Sequence, residues 1–138
     1  MPLLQKSIQL AGKTLPKVIS PRAHTFAHYS KAALFGVAAA LFWRKNKRAA
    51  VASLVCGAAE TGVAIITSRG GLHRVSPSLH KRIDFGISTM AASMPRFLAF
   101  EDEREKKLFL MQSALIAGVA VLTEFEPASP LREHREAA

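Results

Sequence analysis

The sequence has little that could form a covalent framework or a reaction centre. Its 138 residues include one cysteine, Cys56, which excludes a disulfide or a cysteine-based zinc site within one chain. We expect Cys56 to be a small buried residue. A nucleophile elbow, a phosphate-binding loop, an HExxH motif and a dinucleotide-binding glycine motif are all missing. We therefore predict a protein that is not an enzyme, with no catalytic residues, no metal site and no cofactor.

Acidic residues are missing from the first part of the chain. None precedes Glu60, although the net charge of the whole chain is +9. The basic residues flank apolar runs and do not form one long stripe, which fits membrane flanks better than a nucleic-acid-binding face. A lipid bilayer is thus the expected partner, and nucleic acid is not expected.

The longest apolar run covers residues 49–67, and Glu60 is its single charge. A helix of this length just crosses the hydrocarbon core of a bilayer. Small residues are frequent in its middle, which favours close packing against other helices over contact with lipid on all sides.

Three further segments predict helices around this one. We expect the four helices at 26–43, 49–67, 77–100 and 108–123, with charged turns at 44–48 and 101–107. Ser76 and Pro77 are typical of a helix start, and Pro95 should kink or end the third helix. The prediction is an all-α, four-helix transmembrane bundle made of two hairpins, 26–67 and 77–124.

The two ends of the chain are predicted to lie outside this bundle. Residues 1–25 form a basic segment that is amphipathic or disordered, and a targeting peptide is an alternative interpretation of it. Residues 126–138 form a polar tail.

The two predicted hairpins share short sequence matches. KAALFG at 31–36 matches KRIDFG at 81–86 with an offset of 50, and GVAIIT at 62–67 matches GVAVLT at 118–123 with an offset of 56. Two helices per unit predict a parallel repeat.

The run from 67 to 100 also follows a longer pattern. A threonine ends one helix, a basic loop and a proline follow, then His and Asp one turn apart, then an Ala-Ser-Pro-aromatic segment. The residues concerned are Thr67, Arg74, Pro77, His80, Asp84, Ala92, Ser93, Pro95, Phe97 and Phe100. In this the chain resembles the SPW-repeat family of small four-helix integral membrane proteins, over about residues 30–125.

Three residues depart from the pattern of that family. Met94 intrudes before Pro95, Arg96 stands where an aromatic residue is usual, and Ala99 replaces a glycine. The resemblance implies an integral membrane protein with paired hairpins. The family has no assigned reaction, so the resemblance supplies no catalytic residues.

Four polar residues are candidates for a role inside the membrane: Glu60, His80, Asp84 and Arg96. An acid in the centre of a span is costly and faces a partner, and for Glu60 we consider Arg96, Lys31, His28 or His80. The spacing of His80 and Asp84 favours a structural contact on one helix face. As a metal site this pair would need a third ligand, for which His73 is the nearby candidate.

The sequence therefore predicts a small multi-pass membrane protein of the bacterial inner membrane. Its expected role is structural or accessory, packing with other membrane subunits or with itself. One alternative is a small carrier or channel that uses Glu60 and the His80–Asp84 pair as a polar path. A second is a soluble basic helical bundle that binds nucleic acid.

Overall fold

The computed structural model describes residues 18–68 and 76–123. Within these ranges the chain forms four α-helices: α1 (Pro21–Phe42), α2 (Lys47–Ser68), α3 (Pro77–Phe97) and α4 (Lys106–Leu122). The prediction of an all-α fold with four helices is confirmed. Residues 1–17 and the tail 126–138 lie outside the described ranges.

The first helix begins earlier than predicted. Ser20 is its N-cap, with a side-chain oxygen that accepts a hydrogen bond from the Ala23 amide, and Pro21 is the first helical residue. Proline is suited to this position because its fixed φ matches the helix and its missing N–H has no partner in the first turn anyway. The predicted helix start at residue 26 is therefore five residues too late, and the observed start brings His24 into the helix.

Helix α3 begins in the same way, as predicted. Ser76 caps it by accepting from the Leu79 amide, and Pro77 follows. Pro95 lies inside its last turns, and the helix ends at Phe97 instead of at residue 100.

The end of α3 is a Schellman motif. The Phe100 amide donates to the Pro95 carbonyl and the Ala99 amide to the Arg96 carbonyl. This places Ala99 at φ 55°, in the left-handed region. A glycine adopts that conformation without steric cost, whereas an alanine does not. Ala99 is also the residue that replaces a glycine in the family pattern.

The helices pair as two hairpins, with α1 along α2 and α3 along α4. Within the first hairpin the backbones approach closely at Gly57, where an added Cβ would lie 3.2 Å from Phe35 Cβ. The two hairpins meet at the turn end of the bundle, where the Arg48 guanidinium and the Asn46 side-chain amide both donate to the Glu103 carboxylate. Between the helices lies an apolar core that includes Phe35, Ile87, Phe100, Phe109 and Ile116.

Buried positions recur in the two hairpins at a constant offset of 56. In α3 they are His80, Asp84, Ile87, Ala91 and Pro95, and 56 residues earlier the buried α1 residues are His24, His28, Lys31, Phe35 and Ala39. In α4 they are Phe109, Gln112, Ile116 and Ala120, and the buried α2 counterparts are Ser53, Cys56, Glu60 and Ala64. A single offset of 56 therefore aligns these nine pairs of buried positions, whereas the first sequence match has an offset of 50.

Among the described helices, α2 alone is long and apolar enough to cross a membrane when judged by length and composition. Half of its most apolar stretch is buried against the other helices. The prediction of four spans goes beyond this finding and stays a prediction.

Candidate functional site

Six ionisable side chains lie together between the helices, and we call them the polar cluster. Each is no more than 4% exposed. The members are His24, His28 and Lys31 of α1, Glu60 of α2, and His80 and Asp84 of α3. Buried charges are stable only where partners compensate their lost hydration, so the contacts within the cluster decide what it can do.

Helical spacing brings the histidines together. His24 and His28 are four residues apart and so share one face of α1, and His80 and Asp84 share one face of α3 in the same way. The Nε2 atom of His24 lies 2.9 Å from Nε2 of His80 and 3.0 Å from Nε2 of His28. Three imidazole rings thus turn the same nitrogen toward one point.

The carboxylate of Asp84 faces this point as well. One oxygen lies 3.2 Å from His24 Nε2 and 3.7 Å from His80 Nε2, and the other lies 3.4 Å from His28 Nε2. Neither oxygen accepts a hydrogen bond in the described part of the chain. A fully buried carboxylate without a hydrogen bond is costly unless a cation compensates it.

Glu60 binds the other side of His28. The Nδ1 atom of His28 lies 2.5 Å from Glu60 Oε2, and the Lys31 ammonium nitrogen lies 3.3 Å from the same oxygen. Of the partners considered for Glu60 from the sequence, the structure shows contacts with Lys31 and His28.

The second nitrogen of His24 also has a fixed partner. Its Nδ1 atom lies 2.7 Å from the hydroxyl oxygen of Thr123, at the end of α4. The Thr123 hydroxyl donates to the Val119 carbonyl. Since a carbonyl only accepts, the hydroxyl proton is used there, and the Thr123 oxygen accepts the N–H of His24.

The four residues singled out in the sequence have different positions. Glu60, His80 and Asp84 belong to the polar cluster, whereas Arg96 is exposed in the last turn of α3, three turns beyond Asp84. His73, considered as a third metal ligand, lies outside the described residues.

The sequence interpretation did not assign His24 to the site and considered His28 and Lys31 only as partners of Glu60. The sequence does contain a signal for His24. Ser-Pro-x-x-His occurs at 20–24 and again at 76–80, so His24 stands where His80 stands in the second hairpin. The three histidines and Asp84 each offer one ligand atom, and these atoms all lie within 4.8 Å of one another.

Comparison of the chain with protein-family models, with curated proteins and with solved structures finds no match. The resemblance to the SPW-repeat family therefore stays a prediction.

Proposed function

We propose that this chain is a small multi-pass integral membrane protein with a structural or accessory role, which packs its four helices with other subunits in the bilayer. The observation that carries the proposal is the distribution of polarity: the ionisable side chains of the polar cluster are enclosed between the helices, while many large apolar side chains are exposed on the outside.

Most of the outward-facing apolar residues lie along three helices. They include Leu34, Val37 and Leu41 of α1, Val51, Leu54, Val55, Ile65 and Ile66 of α2, and Leu110, Met111 and Leu115 of α4, and each is at least 42% exposed. Scattered exposed apolar residues are normal on a water-soluble protein, but continuous apolar faces mark contact with lipid or with partners. In a bilayer these apolar faces would contact the lipid hydrocarbon, and the ionisable side chains between the helices would be shielded from it.

Helix lengths are compatible with this placement. At a rise of 1.5 Å per residue, helices of 21–22 residues extend about 32–33 Å, close to the hydrocarbon thickness of about 30 Å. The 17 residues of α4 are shorter, and the bilayer adapts to a short span by local thinning at modest cost.

The outer face of α3 supports the accessory part of the proposal. It presents Gly86, Thr89 and Ser93, all exposed. Both hydroxyls donate back to carbonyls of their own helix, Thr89 to Phe85 and Ser93 to Met90. Small side chains with internally satisfied hydroxyls allow another helix to pack closely, so we place the contact with a partner subunit on α3.

The common offset of 56 favours an internal repeat as the origin of this architecture. Both hairpins begin with a Ser-Pro cap, and both end with a threonine that donates to the carbonyl four residues earlier, Thr67 to Val63 and Thr123 to Val119. We propose that the fold consists of two parallel repeats. This arrangement agrees with the paired hairpins that the SPW-repeat resemblance implies.

Cysteine labelling tests the membrane placement. In a Cys56→Ala background, single cysteines replace Val55 and Leu115, which are 44% and 46% exposed, and Lys45, an exposed turn residue. With a membrane-impermeant maleimide on opened membrane vesicles, we expect Lys45→Cys to react and the other two to remain unmodified until detergent and denaturant are added. Rapid labelling of all three, or release of the protein by carbonate without detergent, would refute the proposal.

A carrier remains the second candidate function, because Glu60, His80 and Asp84 lie in one cluster as that interpretation requires. Transport of an ion or proton through the cluster would be abolished by Glu60→Gln in a variant that still inserts and assembles. In a structural protein the same variant alters stability and leaves ion flux into proteoliposomes unchanged. Flux assays on the purified protein separate the two.

A further inference from the structure

We propose that His24, His28, His80 and Asp84 bind one divalent transition-metal ion of the zinc type, which links the two hairpins. This goes beyond the proposed membrane role and rests on different observations. The first is the convergence of four ligand atoms. In a tetrahedral site with metal–ligand distances of about 2.0–2.1 Å, ligand atoms lie about 3.3 Å apart. Of the distances given above, those that join the Nε2 atoms to each other or to one Asp84 oxygen, Oδ2, are 2.9, 3.0, 3.2 and 3.7 Å, close to that value. The four ligand atoms all lie within 4.8 Å of one another.

The second observation is the direction of the imidazole lone pairs. A neutral imidazole that donates through Nδ1 has its lone pair on Nε2. His24 donates through Nδ1 to Thr123, and His28 has the Glu60 carboxylate, which only accepts, at its own Nδ1. Both rings therefore direct Nε2 lone pairs at each other across 3.0 Å. Two lone pairs at this distance require a cation between or beside them.

The third observation concerns Asp84. Its side chain is 1% exposed, and both oxygens lack a hydrogen bond among the described residues although three imidazole nitrogens lie within 3.7 Å. The nitrogens are not arranged to donate to the carboxylate. The three nitrogens and the carboxylate instead surround one point, as ligands surround a metal ion.

The contacts outside the four ligands also match a metal centre. Metal-binding histidines donate their other N–H to a carboxylate or another acceptor, which fixes the tautomer and raises the basicity of the ligand nitrogen. Glu60 does this for His28 and Thr123 for His24. Lys31 contacts the carboxylate of Glu60, which is not a ligand, and balances its charge.

The donor set indicates the class of ion. Three imidazole nitrogens and one carboxylate oxygen favour Zn²⁺ and similar divalent transition metals over Mg²⁺ or Ca²⁺, which prefer oxygen ligands. Four protein ligands complete a tetrahedral shell, which is the arrangement of a structural site. The ligands come from α1 of the first hairpin and α3 of the second, so the ion would hold the hairpins together.

A proton is the competing cation. Lys31 supplies one positive charge against the two carboxylates of Glu60 and Asp84, so one extra proton on a histidine would bring the cluster to zero net charge, whereas a divalent ion would bring it to +1. This alternative predicts that the purified chain contains no stoichiometric metal and that neither chelators nor Zn²⁺ change its melting temperature.

The test uses the full chain in detergent, stripped with chelator and titrated with Zn²⁺ by calorimetry and with Co²⁺ by visible absorption. We expect one ion per chain, the intense absorption bands of tetrahedral Co²⁺, and a higher melting temperature with Zn²⁺. Asp84→Asn and His24→Ala should each weaken binding at least about 100-fold, and Thr123→Val about 10-fold or more through loss of the histidine's acceptor. His134→Ala removes a histidine that is not one of the four proposed ligands and should bind as the wild type does.

Loss of folding in one variant does not spoil the test, because the chelator-stripped form of each variant is first compared with the stripped wild type by circular dichroism. The absence of stoichiometric binding by the wild type would overturn the metal site. So would binding that Asp84→Asn and His24→Ala leave unchanged, since the ion would then be bound elsewhere.

Discussion

Replacement of Glu60 by glutamine should destabilise the fold strongly. Glu60 is fully buried, and Lys31, 4% exposed, lies 3.3 Å from its Oε2 atom. Glutamine keeps the shape of the side chain and an oxygen that can accept from His28, but it removes the negative charge. The Lys31 ammonium would then remain buried without its counter-charge.

The magnitude follows from the burial of both partners. Removal of one member of a buried ion pair costs about 3–5 kcal/mol of the free energy of unfolding, because the other charge is left uncompensated. Replacement of both members by uncharged groups of similar volume is often close to neutral. We therefore expect Glu60→Gln to lose about 3–5 kcal/mol and the double variant Lys31→Met/Glu60→Gln to regain a large part of that loss.

The chain offers a matched control at its surface. Glu103 pairs with Arg48 at 2.9 Å, but the two side chains are 39% and 54% exposed. Exposed ion pairs contribute about 0–1 kcal/mol, so Glu103→Gln should change the free energy of unfolding by no more than that.

Denaturant titration in mild detergent, followed by circular dichroism, measures these differences. Chelator is present throughout, so that bound metal does not contribute. The reasoning is refuted if Glu60→Gln lies within about 1 kcal/mol of the wild type, or if the double variant shows only the sum of the two single losses.

Four further substitutions test local features by the same measurement. Ala99→Gly should stabilise by about 1 kcal/mol, because glycine relieves the left-handed conformation at the end of α3; a loss would contradict the motif. Gly62→Ala should raise the free energy of unfolding by about 0.8–1 kcal/mol, because alanine has the higher helix propensity. Gly57→Ala should not show this stabilisation, because its new Cβ would lie 3.2 Å from Phe35 Cβ. Equal effects of the two substitutions would refute the close approach of the helices at Gly57. Gln112→Met should stabilise by about 1–3 kcal/mol, since both polar atoms of the buried Gln112 lack partners in the described part; destabilisation would indicate a partner.

The sequence determined the helices and their pairing. Apolar runs of helical length, the Ser76–Pro77 start and the short charged turns were enough to predict four helices in two hairpins, because these signals are local along the chain. Glu60 was also recognised as a residue that needs a buried partner, since a charge within an apolar run is costly wherever it lies.

Which side chains form the polar cluster depends on the tertiary structure alone. The Nε2 atoms of His24 and His80 lie 2.9 Å apart, although the two residues are 56 apart in sequence. Which side chains meet depends on how the α1 and α3 faces are turned toward each other. The start of α1 also mattered, because the predicted boundary left His24 outside the bundle. Arg96 and Asp84 are both charged residues of one predicted helix, and the sequence does not show which of them is buried. In the structure they lie three helical turns apart, with Arg96 at the surface and Asp84 in the polar cluster. Local pattern fixes helix position, whereas burial and convergence depend on packing between helices.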